Sequence, residues 1–209
     1  MKNIILSIFA LFIINAVANA QEFGFQKGSK FLEGNIRNNF LNDKSYDEKT
    51  RTTFITPKFG YFIKDNLAVG ADLMIVDIYE KNTAGDSGYE TNGLGFGVFG
   101  RYYFLNLGSR FKTYAEVGAS YTNTQTTDID NGVEISEPDY ISYVGTAGLG
   151  FNFFITKRLS INYTVSDLLY ARSSKNDEPG AVRDSEFELN LNVFNNIFSN
   201  STFGFNFKF

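Results

Sequence analysis

Ser201-Thr202-Phe203-Gly204-Phe205-Asn206-Phe207-Lys208-Phe209 alternates without a break from Phe203: phenylalanine at each odd position, glycine, asparagine or lysine at each even one. A β-strand sends successive side chains to opposite faces, so this stretch predicts a strand with one apolar face and one small or polar face. In water, a bare row of Phe on such a strand would invite aggregation. The pattern calls for an apolar medium on one side and a polar interior on the other.

The same period-2 signal recurs through most of the chain. Predicted strands cover residues 31–40, 51–63, 67–79, 92–104, 111–122, 140–154, 159–170 and 185–209. In the second, Ile55, Phe59 and Tyr61 alternate with Thr56, Lys58 and Gly60; in the fourth, Leu94, Phe96, Val98 and Tyr102 alternate with Gly93, Gly95, Gly97 and Arg101. Polar connections at 41–50, 80–91, 123–139 and 171–184 are long, and those at 64–66, 105–110 and 155–158 are short. This rhythm predicts an all-β, eight-stranded antiparallel up-and-down transmembrane β-barrel, with short periplasmic turns and long extracellular loops. The last strand is interrupted by Asn195 and Asn196, but Phe187, Leu189, Leu191 and Val193 share the odd parity of Phe203 to Phe209. One long strand with a bulge or bend is the simpler reading, because a ninth strand would place the two chain ends at opposite rims.

Residues 1–20 read as a cleaved leader: Lys2, an apolar run from Ile4 to Ile14, and Ala18-Asn19-Ala20 as a small-x-small cleavage site. The barrel domain then spans 21–209. The chain has no Cys, which rules out disulfides and a lipid-modified cysteine. Its formal charge is −4, and without Lys2 it carries 18 basic against 23 acidic residues, with no basic tract. That balance gives nucleic-acid binding no support. No apolar run of ~20 residues follows the leader, so helical spans are excluded.

Alternation alone fits a soluble lipocalin-like barrel with an apolar lumen as well as a membrane barrel. The aromatic residues favour lipid outside. Tyr61, Tyr102, Phe104, Phe153, Phe207 and Phe209 gather at the turn end, and Phe40, Tyr79, Tyr121, Tyr143 and Tyr163 at the loop end, as two interfacial girdles do. The opposite face is rich in Gly, Ser, Thr and Asn, which suits a narrow lumen. That face also carries charge. Counted from the turns, Lys58, Asp72, Arg101 and Glu116 fall at similar heights and alternate in sign, so they form a predicted structural charge ring, with Asn152, Asn162 and Asn206 on other strands and Glu33 and Arg37 elsewhere. Two readings of the ring are open: a conducting lumen, or a polar plug that holds a small barrel together.

An exported chain with eight alternating segments, Tyr102-Tyr103-Phe104, Asp65-Asn66-Leu67-Ala68-Val69-Gly70 and a terminal Phe resembles the small Gram-negative outer-membrane β-barrel family of OmpA/OmpX type. The resemblance spans nearly all of 21–209. It implies a cell outer-membrane location, a monomer among outer-membrane lipid and lipopolysaccharide, and recognition of Phe205, Phe207 and Phe209 by the barrel-assembly machinery. It also implies a structural or surface-interaction role, with a narrow pore or small-molecule transporter as the alternative. The chain contains no His, so a Ser-His-Asp triad or a zinc-histidine site cannot be assembled, and no catalytic residue, cofactor or metal site is expected. Asp128, Asp130, Glu134, Glu137 and Asp139 place carboxylates in the longest loop, but Asp130-Asn131-Gly132 reads as a hairpin tip and the EF-hand spacing is not met.

Overall fold

The computed structural model describes residues 23–43, 48–82, 87–165, 167–190 and 201–209. The regular elements among them are all strands: β1 (Lys30–Asp43), β2 (Glu48–Lys64), β3 (Leu67–Asn82), β4 (Ser87–Leu107), β5 (Phe111–Asp130), β6 (Val133–Ser136), β7 (Tyr140–Phe154), β8 (Leu159–Thr164), β9 (Leu169–Asn176), β10 (Asp184–Leu189) and β11 (Thr202–Lys208). Every pairing is antiparallel. β1 to β5 pair in sequence, β5 pairs with β6 and β7, β7 with β8 and β9, β9 with β10, and β8 with β11. The β11–β1 ladder, from Phe31 opposite Lys208 to Ile36 opposite Phe203, closes the sheet on itself. Closure removes the exposed edges that an open sheet would present along this ladder, while β6 and β10, on the loop side, pair on one side only among the described residues.

Eleven strands occupy eight positions around the wall. β6 and β7 share one position beside β5, and β8 and β9 share the next, β8 ending at Thr164 and β9 beginning at Leu169. β10 and β11 share the last. Ala147 of β7 faces Leu169, which faces Leu189, while Gly150 faces Thr164, which faces Thr202. Three residues along β7 therefore correspond to thirteen along the final position, a difference of ten. An even difference preserves parity, which is why Phe187 and Phe203 point the same way. The expected bend at Asn195 and Asn196, and the leader at 1–20, lie outside the described residues.

The first five strands are longer than the hydrophobic alternation suggests, whereas the expected strand 159–170 is broken into β8 and β9. β4 has 21 residues and β5 has 20, whereas a tilted strand needs ~9–11 to cross a bilayer. Much of what reads as polar loop is ladder: Asp43 pairs with Glu48, Lys81 with Gly88, and Thr127 with Ser136. The polar strands satisfy their backbone groups by pairing just as apolar ones do, so the alternation stops where the apolar layer stops, not where the strand stops. Asn131 and Gly132, both at positive φ (49° and 75°), make the hairpin tip between β5 and β6.

The side-chain distribution is inverted relative to a water-soluble barrel. Leu94, Phe96, Val98 and Phe205 are about 60 % exposed on the outer face, while Glu33, Arg101, Asn152, Ser160, Asn162 and Asn206 are fully buried inside. A barrel that holds an apolar ligand would have the reverse arrangement, so the lipocalin-like alternative fails. Exposed Tyr61, Tyr102, Phe104, Phe153 and Phe209 ring the turn end, and exposed Phe40 and Tyr143 stand toward the loop end. This is the side-chain distribution of a membrane-spanning β-barrel.

Candidate functional site in the barrel lumen

The inward face has three layers, each traceable to the sequence. The lowest, at the turn end, is aromatic. Phe31, Phe62, Phe99, Tyr103 and Tyr114 are buried around Ala68. Phe25, from the segment that precedes β1, stacks on Phe62 with ring centroids 4.4 Å apart and also meets Phe31, Tyr103 and Phe154. That segment is pinned by several bonds. Lys27 N–H donates to Asp65 Oδ1 at 2.8 Å, Gly28 N–H to the Phe62 carbonyl at 2.8 Å, and Lys208 Nζ to the Gly24 carbonyl at 2.6 Å. The inner glycines make room for the rings: a Cβ at Gly60 would strike Phe31, one at Gly70 would strike Phe99, and one at Gly150 would strike Tyr114.

Above this layer lies the charge network. The Arg101 guanidinium forks onto Glu33, Nη1 to Oε2 at 2.7 Å and Nη2 to Oε1 at 2.9 Å, and its Nε donates to Glu116 Oε2 at 2.6 Å. Lys58 Nζ donates to the other Glu116 oxygen at 2.5 Å. Glu33 further accepts from Asn35 Nδ2 (2.8 Å), Asn206 Nδ2 (3.0 Å) and Asn162 Nδ2 (3.3 Å). Two tyrosines carry the network onward: Tyr103 Oη donates to Asn152 Oδ1 at 2.7 Å and Tyr114 Oη to Asn162 Oδ1 at 2.8 Å. The guanidinium also lies 4.1 Å above the Tyr114 ring. Two cations and two carboxylates balance, and bidentate Arg–carboxylate bonds offset the desolvation of burying them.

Of the four residues expected in the ring, the structure brings Lys58, Arg101 and Glu116 together and leaves Asp72 apart. The hairpin counting is right within each tight pair: Lys58 faces Asp72 and Arg101 faces Glu116. Across the long connection it is off. Asp72 faces Gly97, and Arg101 faces Ala68, so Asp72 sits four residues nearer the loop end. The described ion pairs of the lumen pass it by. Glu33 takes the place assigned to Asp72. Its β1–β2 register, Glu33 opposite Lys58, depends on a long connection whose centre is not readable from residue types.

The third layer is an open cavity of about 340 Å³ on the loop side of the network, lined among others by Arg37, Lys58, Asp72, Glu116, Asp167 and Tyr170. Phe205 is exposed on the outer face; Phe207 and Phe209 stack at the turn end, with Phe209 near Phe59.

No protein-family model matches the chain, and no curated protein matches it by sequence. Solved structures do resemble it in fold. The N-terminal β-barrel domain of Pseudomonas aeruginosa OprF is 12 % identical, with 88 % of this chain and 98 % of that one covered at a TM-score of 0.41. Pseudomonas aeruginosa OprG is 16 % identical (89 % and 98 % covered, TM-score 0.46), and Escherichia coli outer membrane protein W is 17 % identical (88 % and 99 % covered, TM-score 0.43).

Proposed function

We propose that this is a monomeric outer-membrane barrel with a structural or surface-interaction role, whose lumen is closed by a polar and aromatic plug and whose long strand extensions form the extracellular surface. One observation carries the reading. The Glu33–Arg101–Glu116–Lys58 network and its amide partners draw side chains from every strand position except that of β3, and Phe25 seals the aromatic layer beneath. Eight-stranded lumens are filled by side chains in this way, and an ion would have to break several charge-assisted bonds to pass. The absence of His and Cys from the sequence supports a non-enzymatic role. Outer-membrane lipid and lipopolysaccharide are the surroundings that the apolar band fits, and Phe205, Phe207 and Phe209 are proposed as the strand that the barrel-assembly machinery reads. Planar-bilayer recording tests the closed lumen. Purified, folded protein is expected to give no steady open-pore conductance, and a stable ohmic level would instead establish the pore reading.

A further inference from the structure

The cavity above the network holds charged groups that lie in the field of opposite charges, Asp72 in that of Lys58 and Asp167 in that of Arg37 and Lys58, without bonding to them. Among the described residues, the Asp72 and Asp167 carboxylates line it and make no hydrogen bond or ion pair. Each is seated over a glycine, Asp72 Oδ1 over Gly97 and Asp167 Oδ1 over Gly148, so bare backbone on the wall gives it room. The third is Arg37. Its Nη2 donates to Thr202 Oγ1 at 3.4 Å and its guanidinium lies 5.5 Å from the Phe54 centroid, but its buried Nε has no acceptor. Lys58 and Glu116 also line the cavity, but they are committed to each other. An uncompensated buried charge or donor costs free energy, and a ligand that supplies the complement recovers it.

The set that forms no described ion pair is two carboxylates and one guanidinium. Its complement is a molecule with two ammonium groups and one carboxylate. The volume falls at the lower end of small-molecule pockets, ~300–1,000 Å³. The walls add Tyr170, whose ring face favours a cation over a neutral polar group, while the Phe54 ring already faces Arg37 and the Phe99 ring faces Lys58 and Arg101. We propose that the loop-side cavity is a binding site for a small basic zwitterion of the diammonium-carboxylate class, with Asp72 and Asp167 receiving the ammonium groups and Arg37 the carboxylate. The site is a blind one, floored by Lys58 and Glu116. That geometry rests on the closed-lumen reading, and conductance tests the closed lumen independently of binding.

The test uses L-lysine as probe on the folded, nitrogen-15-labelled full barrel in lipid nanodiscs, with cadaverine (no carboxylate) and 6-aminohexanoate (one ammonium) as controls. Saturable shifts of the Gly97 and Gly148 amides are expected with L-lysine, and weaker binding with either control. Asp72→Asn, Asp167→Asn and Arg37→Gln, each first verified as folded by heat-modifiable migration on a gel, are each expected to weaken binding roughly tenfold to a hundredfold. The proposal is overturned if L-lysine produces no saturable shift in the wild-type protein. It is equally overturned if both controls bind as tightly as L-lysine, or if the Asn variants bind it unchanged.

Discussion

Arg101 on β4 and Glu33 on β1 meet across the lumen as a fully buried bidentate pair, at 2.7 and 2.9 Å, although 68 residues separate them in the chain. The pair ties together two walls that share no ladder, with Glu116 and Lys58 extending it to β5 and β2. Replacing Arg101 with Met would leave two buried carboxylates facing one lysine. Arg101→Met is expected to destabilise the barrel by about 3–5 kcal/mol in reversible urea unfolding from lipid vesicles. Glu33→Met combined with Arg101→Met removes one charge of each sign and should be less damaging than Arg101→Met alone. A double variant at least as unstable as that single one would show that the pair's charge balance is not what matters.

The aromatic plug depends on glycines opposite its rings. Gly60 faces Phe31 directly in the β1–β2 ladder, and a side chain there would occupy the space of the Phe31 ring. Gly60→Val is expected to cost about 1–3 kcal/mol by overpacking. Phe31→Ala in the same chain should reduce that cost, so the two effects fall well short of additive in a double-mutant cycle. Simple additivity would mean that the strand, and not the lumen, suffers the substitution.

The inverted surface sets a depth-dependent tolerance to charge. Leu73 is exposed on the outer face midway along the apolar part of β3, whereas Val133 is exposed in the hairpin tip beyond it. Leu73→Arg is expected to destabilise the barrel by roughly 2–4 kcal/mol and Val133→Arg by ~0–1 kcal/mol. Unfolding of the two variants in vesicles measures this, and equal costs would contradict a lipid-facing outer wall.

The seam between β11 and β1 ends at Phe209. Its N–H donates to the Lys30 carbonyl at 3.0 Å, and its carbonyl accepts from the Lys30 N–H at 3.1 Å. Deleting Phe209 removes this closing exchange together with a ring that packs on Phe207 and near Phe59. Outer-membrane levels of the deletion should fall severalfold, against little change on deleting Gly180 in the β9–β10 connection. Equal levels would argue against Phe209 as part of the assembly signal.

The architecture was legible because side-chain parity in a strand is a local property. Phe203, Phe205, Phe187 and Leu189 declare the outer face from their spacing alone, and the register difference of ten between β10 and β11 preserves that parity because it is even. The charge network was only half legible. Tight turns have readable centres, so Lys58 opposite Asp72 and Arg101 opposite Glu116 follow from counting. Polar strands continue past the apolar layer, so the centres of the long connections do not. The aromatic plug carried one unused signal: Phe31, Phe62, Phe99, Tyr103 and Tyr114 all stand at polar-face parity in their strands.

Residue types and their period thus determined the number of strand positions, which face meets lipid, and the presence of charge in the lumen, since each follows from alternation along one strand at a time. Which charges meet was decided by the ladders across the long connections together with closure. The β3–β4 ladder sets Asp72 four residues away from Arg101, the β1–β2 ladder sets Glu33 opposite Lys58, and joining β11 to β1 curls the wall so that Glu33 and Arg101 meet across the lumen. Stagger is a sum over all the ladders, and no single stretch of sequence contains it.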